Sequence, residues 1–203
     1  EAMALCWLFG RLPHRGLPVF AGILYALVGA RLLFNPEILG YHERGAPLFN
    51  WILYTYGIAT LCCLIGQSLL RRAADNGFVQ QLANAIALNG LLLGFWLVNL
   101  EILDYFSTGP YIAISGGTGY SVKLALSAGW GLYAIVLLVT GVAKDLKPLR
   151  YLSLAFLLLT VAKVFLYDLS ELGGIFRVFS FLGLAVGLIL VSLFYQRFVF
   201  KKN

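Results

Sequence analysis

Six long apolar runs dominate the chain, and each is close to the length that a membrane-spanning helix needs. Crossing a bilayer takes about 20 mostly apolar residues, and five runs reach that length while a sixth is slightly shorter. The predicted spans are residues 17–34, 50–70, 79–106, 120–143, 149–169 and 175–198. The pattern therefore predicts an all-α, polytopic transmembrane helix bundle of about six spans within residues 13–203.

Residues 1–12 are apolar but too short to cross a bilayer. The segment has neither a basic n-region nor a cleavage site, so it does not fit a secretory signal peptide. We expect it to be the end of a preceding helix in a longer parent chain. A peripheral N-terminal segment is the alternative.

Small residues recur four positions apart in several predicted spans, a spacing that lets membrane helices approach closely. The sets are Gly22/Ala26/Ala30, Gly90/Gly94, Ala125/Gly129 and Gly183/Gly187. They predict tight helix packing and say little about function.

The basic residues of the connecting segments fall almost entirely on one side of the predicted bundle. If the six spans alternate, that side holds Arg11, Arg15, Arg71, Arg72, Lys144, Lys147, Arg150, Arg197, Lys201 and Lys202, while the connections of the other side hold only Arg44. Basic residues are enriched in cytoplasmic loops. We therefore expect the basic side, including the C-terminus, to be cytoplasmic.

Charged residues of both signs collect at the opposite, outer ends of the spans. This candidate outer-side polar cluster comprises Arg31, Glu37, Glu101, Asp104, Lys123, Lys163, Asp168, Glu171 and Arg177. Charges at membrane depth normally pair or face the bundle interior. We expect Lys163 and Arg177 each to reach one of the acidic residues. A structural network is the favoured interpretation of the cluster, and a substrate site is the alternative.

Two local patterns sharpen this cluster. Glu101 and Asp104 are three residues apart, so they share a helix face, and could act as an acid/base pair, although a salt bridge to a nearby cation is the expected role. Ser153, Thr160, Lys163 and Tyr167 form one stripe of the fifth span.

Composition agrees with a membrane protein and excludes several other classes. Of the 203 residues 61% are hydrophobic and 12% are charged, against about 25% charged in soluble domains. The net charge is +6, and in a membrane protein basic residues usually set the orientation. Binding of nucleic acid is not expected, because the apolar runs offer no surface for it. Cys6, Cys62, Cys63 and two distant histidines have no metal-ligand spacing. We therefore expect neither a metal nor another cofactor.

Several segments resemble one family of bacterial membrane proteins. These are Ser127–Tyr133 (SAGWGLY), Lys163–Leu169 (KVFLYDL), Arg177–Leu184 (RVFSFLGL) and Tyr195–Phe198 (YQRF), with the earlier Leu100–Phe106 (LEILDYF). In this order they are similar to the C-terminal part of the predicted membrane proteins grouped as domain of unknown function 2339.

The resemblance implies a bacterial inner-membrane protein without an established activity, and it supplies no catalytic residues. The positions that it assigns to the family pattern are Glu101, Ser127, Trp130, Lys163, Asp168, Arg177, Ser180 and Arg197. One position departs from the pattern, because Lys123 stands where an acidic residue is expected shortly before Ser127.

Three functions remain open at this point. The first is a transport or flippase-like component for a lipid-linked or anionic cell-envelope substrate. The second is a membrane-embedded enzyme that uses Glu101 and Asp104 on a lipid-linked or periplasmic substrate. The third is a scaffold whose partners are membrane lipids and the rest of a longer parent chain. A transporter needs a polar path through both halves of the membrane, and the apolar cytoplasmic halves of spans one, four and six count against such a path.

Overall fold

The computed structural model describes residues 1–12, 14–40, 49–73, 76–107, 111–112 and 120–168, with short pieces at 182–183, 185–189, 192–193 and 196. Every regular element within these ranges is helical. The α-helices are α1 (Ala2–Phe9), α2 (Gly16–Leu33), α3 (Ile58–Ala73), α4 (Gly77–Phe106), α5 (Tyr120–Ala143) and α6 (Lys147–Lys163). A 3-10 turn lies at Pro36–Leu39, and π-helical turns lie at Leu53–Gly57 and Val164–Asp168.

The predicted all-α transmembrane fold is confirmed. Five of the described helical segments are long and apolar enough to cross a membrane, namely Gly16–Ile38, Leu53–Ala73, Gly77–Phe106, Ser121–Ala143 and Lys147–Leu166. They coincide with the first five predicted spans. The sixth predicted span lies mostly outside the described residues, and its described pieces at 182–183, 185–189 and 192–193 are helical.

The outward faces of these helices are apolar, as a lipid environment requires. On α2, Phe20 and Leu27 are 57% and 61% exposed, and on α5, Leu132 and Val139 are 64% and 60% exposed. Large contiguous apolar surfaces of this kind are rare on soluble monomers. Hydrocarbon is the solvent that accommodates them.

The contacts divide the chain into two compact units, Glu1–Ile114 (unit 1) and Ser115–Asn203 (unit 2). In unit 1, helices α1 to α4 pack around a core that includes Tyr25, Tyr56, Cys63 and Leu93. The short helix α1 belongs to this core, because Cys6 is 1% exposed and Phe9 is 8% exposed.

Local sequence signals set the helix ends of unit 1. The Asn76 side chain accepts a hydrogen bond from the Val79 amide at 3.0 Å and caps α4. The Asn35 side chain accepts one from the Glu37 amide at 3.2 Å, at the start of the 3-10 turn that follows α2. The predicted end of the first span at Asn35-Pro36 therefore becomes a tight turn.

Glycines let the helices of unit 1 approach one another closely. A Cβ atom at Gly90 of α4 would lie 2.7 Å from the Cβ of Cys63, and one at Gly22 would lie 2.6 Å from Cδ1 of Leu82. These two glycines belong to the small-residue sets predicted above. Gly29 and Gly66 are further contact points, against Asn89 and Tyr25, and lie outside those sets.

In unit 2, α5 and α6 form an antiparallel hairpin. Pro148 occupies the first turn of α6, where its missing amide proton costs nothing. The rings of Tyr133 and Phe156 pack edge to face with centroids 5.4 Å apart. Thr160 packs against Gly131 at the same interface.

Candidate functional site

Glu101 and Asp104, at the end of α4, form a carboxylate pair around one amide group. Nδ2 of Asn50 donates to Oε2 of Glu101 and to Oδ2 of Asp104, each at 3.2 Å. Oδ1 of Asn50 accepts from the Leu53 amide at 2.9 Å, so the start of the second span holds this side chain in place. The predicted shared face of the two carboxylates is thus present, and a neutral donor brings them together.

One oxygen of the carboxylate pair has no hydrogen-bond partner among the described residues. Oε1 of Glu101 is buried, and no described residue offers it a hydrogen bond. The described ion pairs of unit 1 leave both carboxylates without a cation. A buried acceptor without a hydrogen bond lowers the free energy of unfolding by about 1–3 kcal/mol, because its lost hydration is not replaced.

Arg31 and Glu37 form a separate group at the end of α2. Nη1 of Arg31 donates to Oδ1 of Asn35 at 2.8 Å, and Nη2 lies 3.6 Å from Oε1 of Glu37. The two charged side chains are 58% and 77% exposed, so this ion pair contributes little stability. In the described contacts it is not joined to the carboxylate pair.

A line of polar side chains follows the face of α3 that meets α4. Thr60, Gln67 and Arg71 are seven and four residues apart, a spacing that keeps them on one helix face. Oγ1 of Thr60, Oε1 of Gln67 and Nε of Arg71 are all buried, and none has a hydrogen-bond partner among the described residues. Sequence reasoning missed this line, although the spacing was visible.

The basic end of that line is tied to α4. Nη2 of Arg71 donates to Oδ1 of Asn84 at 2.6 Å. At 1.5 Å per residue, Thr60 and Gln67 are separated by about 10 Å along the helix axis. We call the polar groups of the α3–α4 interface the polar line. It comprises the carboxylate pair, Thr60, Gln67 and the Arg71–Asn84 contact.

Two further polar residues at the centre of unit 1 are satisfied locally. Nδ2 of Asn89 donates to the Tyr25 carbonyl at 2.9 Å, and the Tyr25 hydroxyl donates to the Cys62 carbonyl at 2.8 Å. These bonds join α2 to α3 and α4 in a tightly packed region. Their role is helix association.

In unit 2, Lys163 connects the two helices of the hairpin. Its Nζ donates to Oγ of Ser127 at 2.6 Å and to the Lys123 carbonyl at 3.3 Å, and it lies 5.6 Å from the centroid of the Trp130 ring. Of the predicted stripe on α6, Ser153 and Thr160 are buried against this interface. Their hydroxyls donate to carbonyls of their own helix.

A serine hydroxyl beside a lysine amine is a pairing that some hydrolases use for nucleophilic catalysis. Here Ser127 lies inside a helix and is 7% exposed, which leaves a substrate little access to its hydroxyl. The Lys163 ammonium also lies over the Trp130 ring, 5.6 Å from its centroid, so its contacts tie α5 to α6. We therefore assign this contact to helix association.

The sequence analysis did not predict an ion pair in the turn between the two helices of unit 2. Nη2 of Arg150 lies 2.6 Å from Oδ1 of Asp145, and the side chain of Arg150 is only 6% exposed. Asp145 has a φ of 51° in the turn between α5 and α6. Arg150, counted above only as an orientation signal, thus also fixes this turn.

Several predicted contacts remain predictions. The side chain of Asp168 and residues Glu171 and Arg177 lie outside the described residues. The expected pairing of Arg177 is therefore untested. The expected pairing of Lys163 with a carboxylate also stays a prediction. Lys123 contributes its carbonyl oxygen to one of the Lys163 contacts described above.

The model of one protein family matches this chain over residues 3–198, and its description is predicted membrane protein (DUF2339). The chain belongs to the DUF2339 family. No curated protein and no solved structure matches it. The family assignment confirms the resemblance seen in the sequence, and the match covers nearly the whole chain.

Three positions of the DUF2339 family pattern lie close together in the structure. Ser127, Trp130 and Lys163, which the resemblance had singled out separately, meet in the α5–α6 hairpin. Glu101, a fourth such position, belongs to the carboxylate pair of unit 1.

Replacing Ser127 with alanine is expected to lower the stability of the hairpin by about 0.6–1.7 kcal/mol, the range for hydrogen bonds between membrane helices. Lys163→Met should cost more, because it also removes the contacts with the Lys123 carbonyl and Trp130. Thermal unfolding in detergent measures both effects. Ser121→Ala and Lys147→Met, at exposed positions of the same helices, are the matched controls. Equal melting temperatures for Ser127→Ala and Ser121→Ala would contradict the assignment.

Proposed function

We propose that this protein is a proton-linked transport component of a bacterial inner membrane, with its C-terminus in the cytoplasm and a cell-envelope substrate. The observation that carries the proposal is the polar line of unit 1. It begins at the carboxylate pair, continues through Thr60 and Gln67, and ends at the Arg71–Asn84 contact. A polar path through both halves of the membrane is the feature that separates a transporter from an enzyme or a scaffold.

The buried atoms of the polar line need solvation that the protein does not give them. Each unsatisfied buried polar group costs about 1–3 kcal/mol, and several on one interface would be expensive to retain. Ordered water commonly satisfies such groups. Water beside Glu101, Thr60, Gln67 and Arg71 would supply the hydrogen-bonded chain along which a proton moves, once α3 and α4 move apart by about one water diameter at the Gly90–Cys63 contact.

The carboxylate pair suits the outer end of such a chain. The shared Asn50 donor places two proton acceptors side by side at the end of α4. Chains of ionisable residues inside membranes commonly act as proton relays. We infer that Glu101 and Asp104 take up the proton and that Asn50 holds them together.

Close packing of the helices favours a proton over a larger substrate on this route. Gly90 and Cys63 leave no room for even one additional methyl group between α3 and α4. A flippase-like passage of a lipid headgroup between these helices would require them to separate. The envelope substrate therefore takes a different route, and the polar line carries the coupled proton.

A membrane-embedded enzyme that uses the same carboxylates is the second candidate. The convergence of Glu101 and Asp104 on one amide favours it, because paired carboxylates can divide acid and base roles. An enzyme of this kind does not require Gln67. That residue lies 17 positions after Asn50, which is about 25 Å along the helix axis at 1.5 Å per residue.

Proton flux into liposomes tests the proposal. Purified protein is reconstituted with pyranine inside, and a potassium gradient with valinomycin imposes a membrane potential. Glu101→Gln and Gln67→Leu should each slow acidification about tenfold, which corresponds to roughly 1.4 kcal/mol added to the barrier.

Glu37→Gln and Gln81→Leu, at exposed positions of unit 1, are the matched controls and should conduct like the unaltered protein. Flux no faster than in protein-free liposomes would overturn the proposal. Loss of flux in Glu101→Gln with full flux in Gln67→Leu would also overturn the route along α3.

A further inference from the structure

A cavity of about 450 Å³ lies in unit 1 where the first turns of α2 and α4 meet the end of α1, and its lining shares no residue with the polar line. Its volume lies in the range of ligand-binding pockets. Phe9, Pro18, Val19, Phe78 and Val79 give it an apolar wall, and Arg15 and Asn76 add polar groups. The cavity therefore combines a surface for hydrocarbon with a cation.

The position of the cavity along the helices defines its surroundings. Arg15 and Asn76 immediately precede α2 and α4, so the cavity lies at the basic ends of both helices. Within residues 10–16 and 70–77 the sequence has four arginines and one acidic residue, Asp75. The positive ends of the two helix dipoles add to this field.

Arg15 is the cation placed to meet a ligand. Its side chain is exposed and lines the cavity. Two of the neighbouring arginines have other contacts, because Arg11 lies over the Trp7 ring at 5.5 Å and Arg71 donates to Asn84. The Asn76 side chain caps the Val79 amide and so fixes the α4 side of the cavity.

We propose that this cavity binds one anionic phospholipid, with an acyl chain against the apolar wall and the headgroup phosphate at Arg15. Charge complementarity selects the occupant, since the cavity opens at the basic end of apolar membrane helices and carries an arginine. Basic pockets between helices on the cytoplasmic side of a membrane are suited to anionic lipid headgroups. The bound lipid would hold the ends of α1, α2 and α4 together.

Native mass spectrometry with dioleoyl phosphatidylglycerol and dioleoyl phosphatidylcholine tests this site on the full chain. One phosphatidylglycerol molecule should bind more tightly than phosphatidylcholine. Arg15→Gln should weaken phosphatidylglycerol about fivefold, the effect of removing one basic residue near an anionic surface. Arg11→Gln, on the same connection and outside the cavity, should leave that affinity unchanged.

A second pair of variants tests the apolar wall. Val19 is 40% exposed, so Val19→Trp can fill the cavity without disturbing the core and should abolish retention of the lipid. Leu27→Trp, on the outward face of the same helix, should retain it. Equal affinity for the two lipids, equal weakening by Arg15→Gln and Arg11→Gln, or full retention in Val19→Trp would each overturn the proposal. The same holds if sodium phosphate alone raises the melting temperature as much as phosphatidylglycerol does.

Discussion

Replacing Gly66 with alanine is expected to lower the free energy of unfolding by about 1–3 kcal/mol, the usual cost of overpacking a core. A Cβ atom at Gly66 would overlap the hydroxyl of Tyr25, which is 4% exposed and donates to the Cys62 carbonyl. The ring cannot move aside without breaking this bond between α2 and α3. Thermal unfolding in detergent measures the loss.

The matched control is Gly77→Ala, because nothing lies within 4 Å of a Cβ at that position. It should unfold at or slightly above the temperature of the unaltered protein, since alanine favours a helix over glycine. Adding Tyr25→Phe to Gly66→Ala removes one of the overlapping atoms and should recover part of the loss. A fully additive double variant would show that the two residues are not coupled.

Replacing Tyr56 with alanine is expected to cost about 3–5 kcal/mol, the range for removing a large buried aromatic ring. Tyr56 is fully buried at the centre of unit 1, and its hydroxyl donates to the Leu32 carbonyl at 2.8 Å. Tyr56→Phe keeps the ring and should cost only about 0.6–1.7 kcal/mol, the value of one bond between membrane helices. The same unfolding measurement separates the two contributions.

Tyr54→Ala is the matched control, since Tyr54 lies in the same π-helical turn and is 71% exposed. It should have little effect on unfolding. If Tyr54→Ala and Tyr56→Ala were equally destabilising, local disruption of the π-helical turn, rather than loss of core packing, would explain both results.

The proposals for the polar line and for the lipid cavity make separable predictions. The polar line concerns proton movement between α3 and α4, whereas the lipid cavity concerns Arg15 and Val19 at the basic ends of α2 and α4. Arg15→Gln should therefore weaken lipid binding without the tenfold loss of flux expected for Gln67→Leu. A protein that conducts protons but binds no lipid would retain the first proposal and lose the second.

The pattern of apolar runs was enough to predict the membrane environment, the all-α fold class and the positions of the first five spans. A long apolar run in lipid forms a helix, because the helix satisfies the hydrogen bonds of every backbone group internally. The Pro, Gly and charged segments between the runs mark the helix ends. The first five predicted spans therefore coincide with helices of the structure. The family resemblance was equally visible, since it depends on ordered local segments.

The contacts between polar side chains on different helices could be seen only in the three-dimensional structure. Helical periodicity showed that Glu101 and Asp104 share a face, but their common partner Asn50 lies 51 residues before Glu101. Lys163 contacts Ser127, the Lys123 carbonyl and Trp130, and these residues lie 33 to 40 positions before it in the sequence. The register between two helices depends on glycine contacts such as Gly90 with Cys63, and one sequence does not reveal which glycine meets which neighbour. For this reason the polar line of α3 was overlooked, although Thr60, Gln67 and Arg71 are spaced for one helix face.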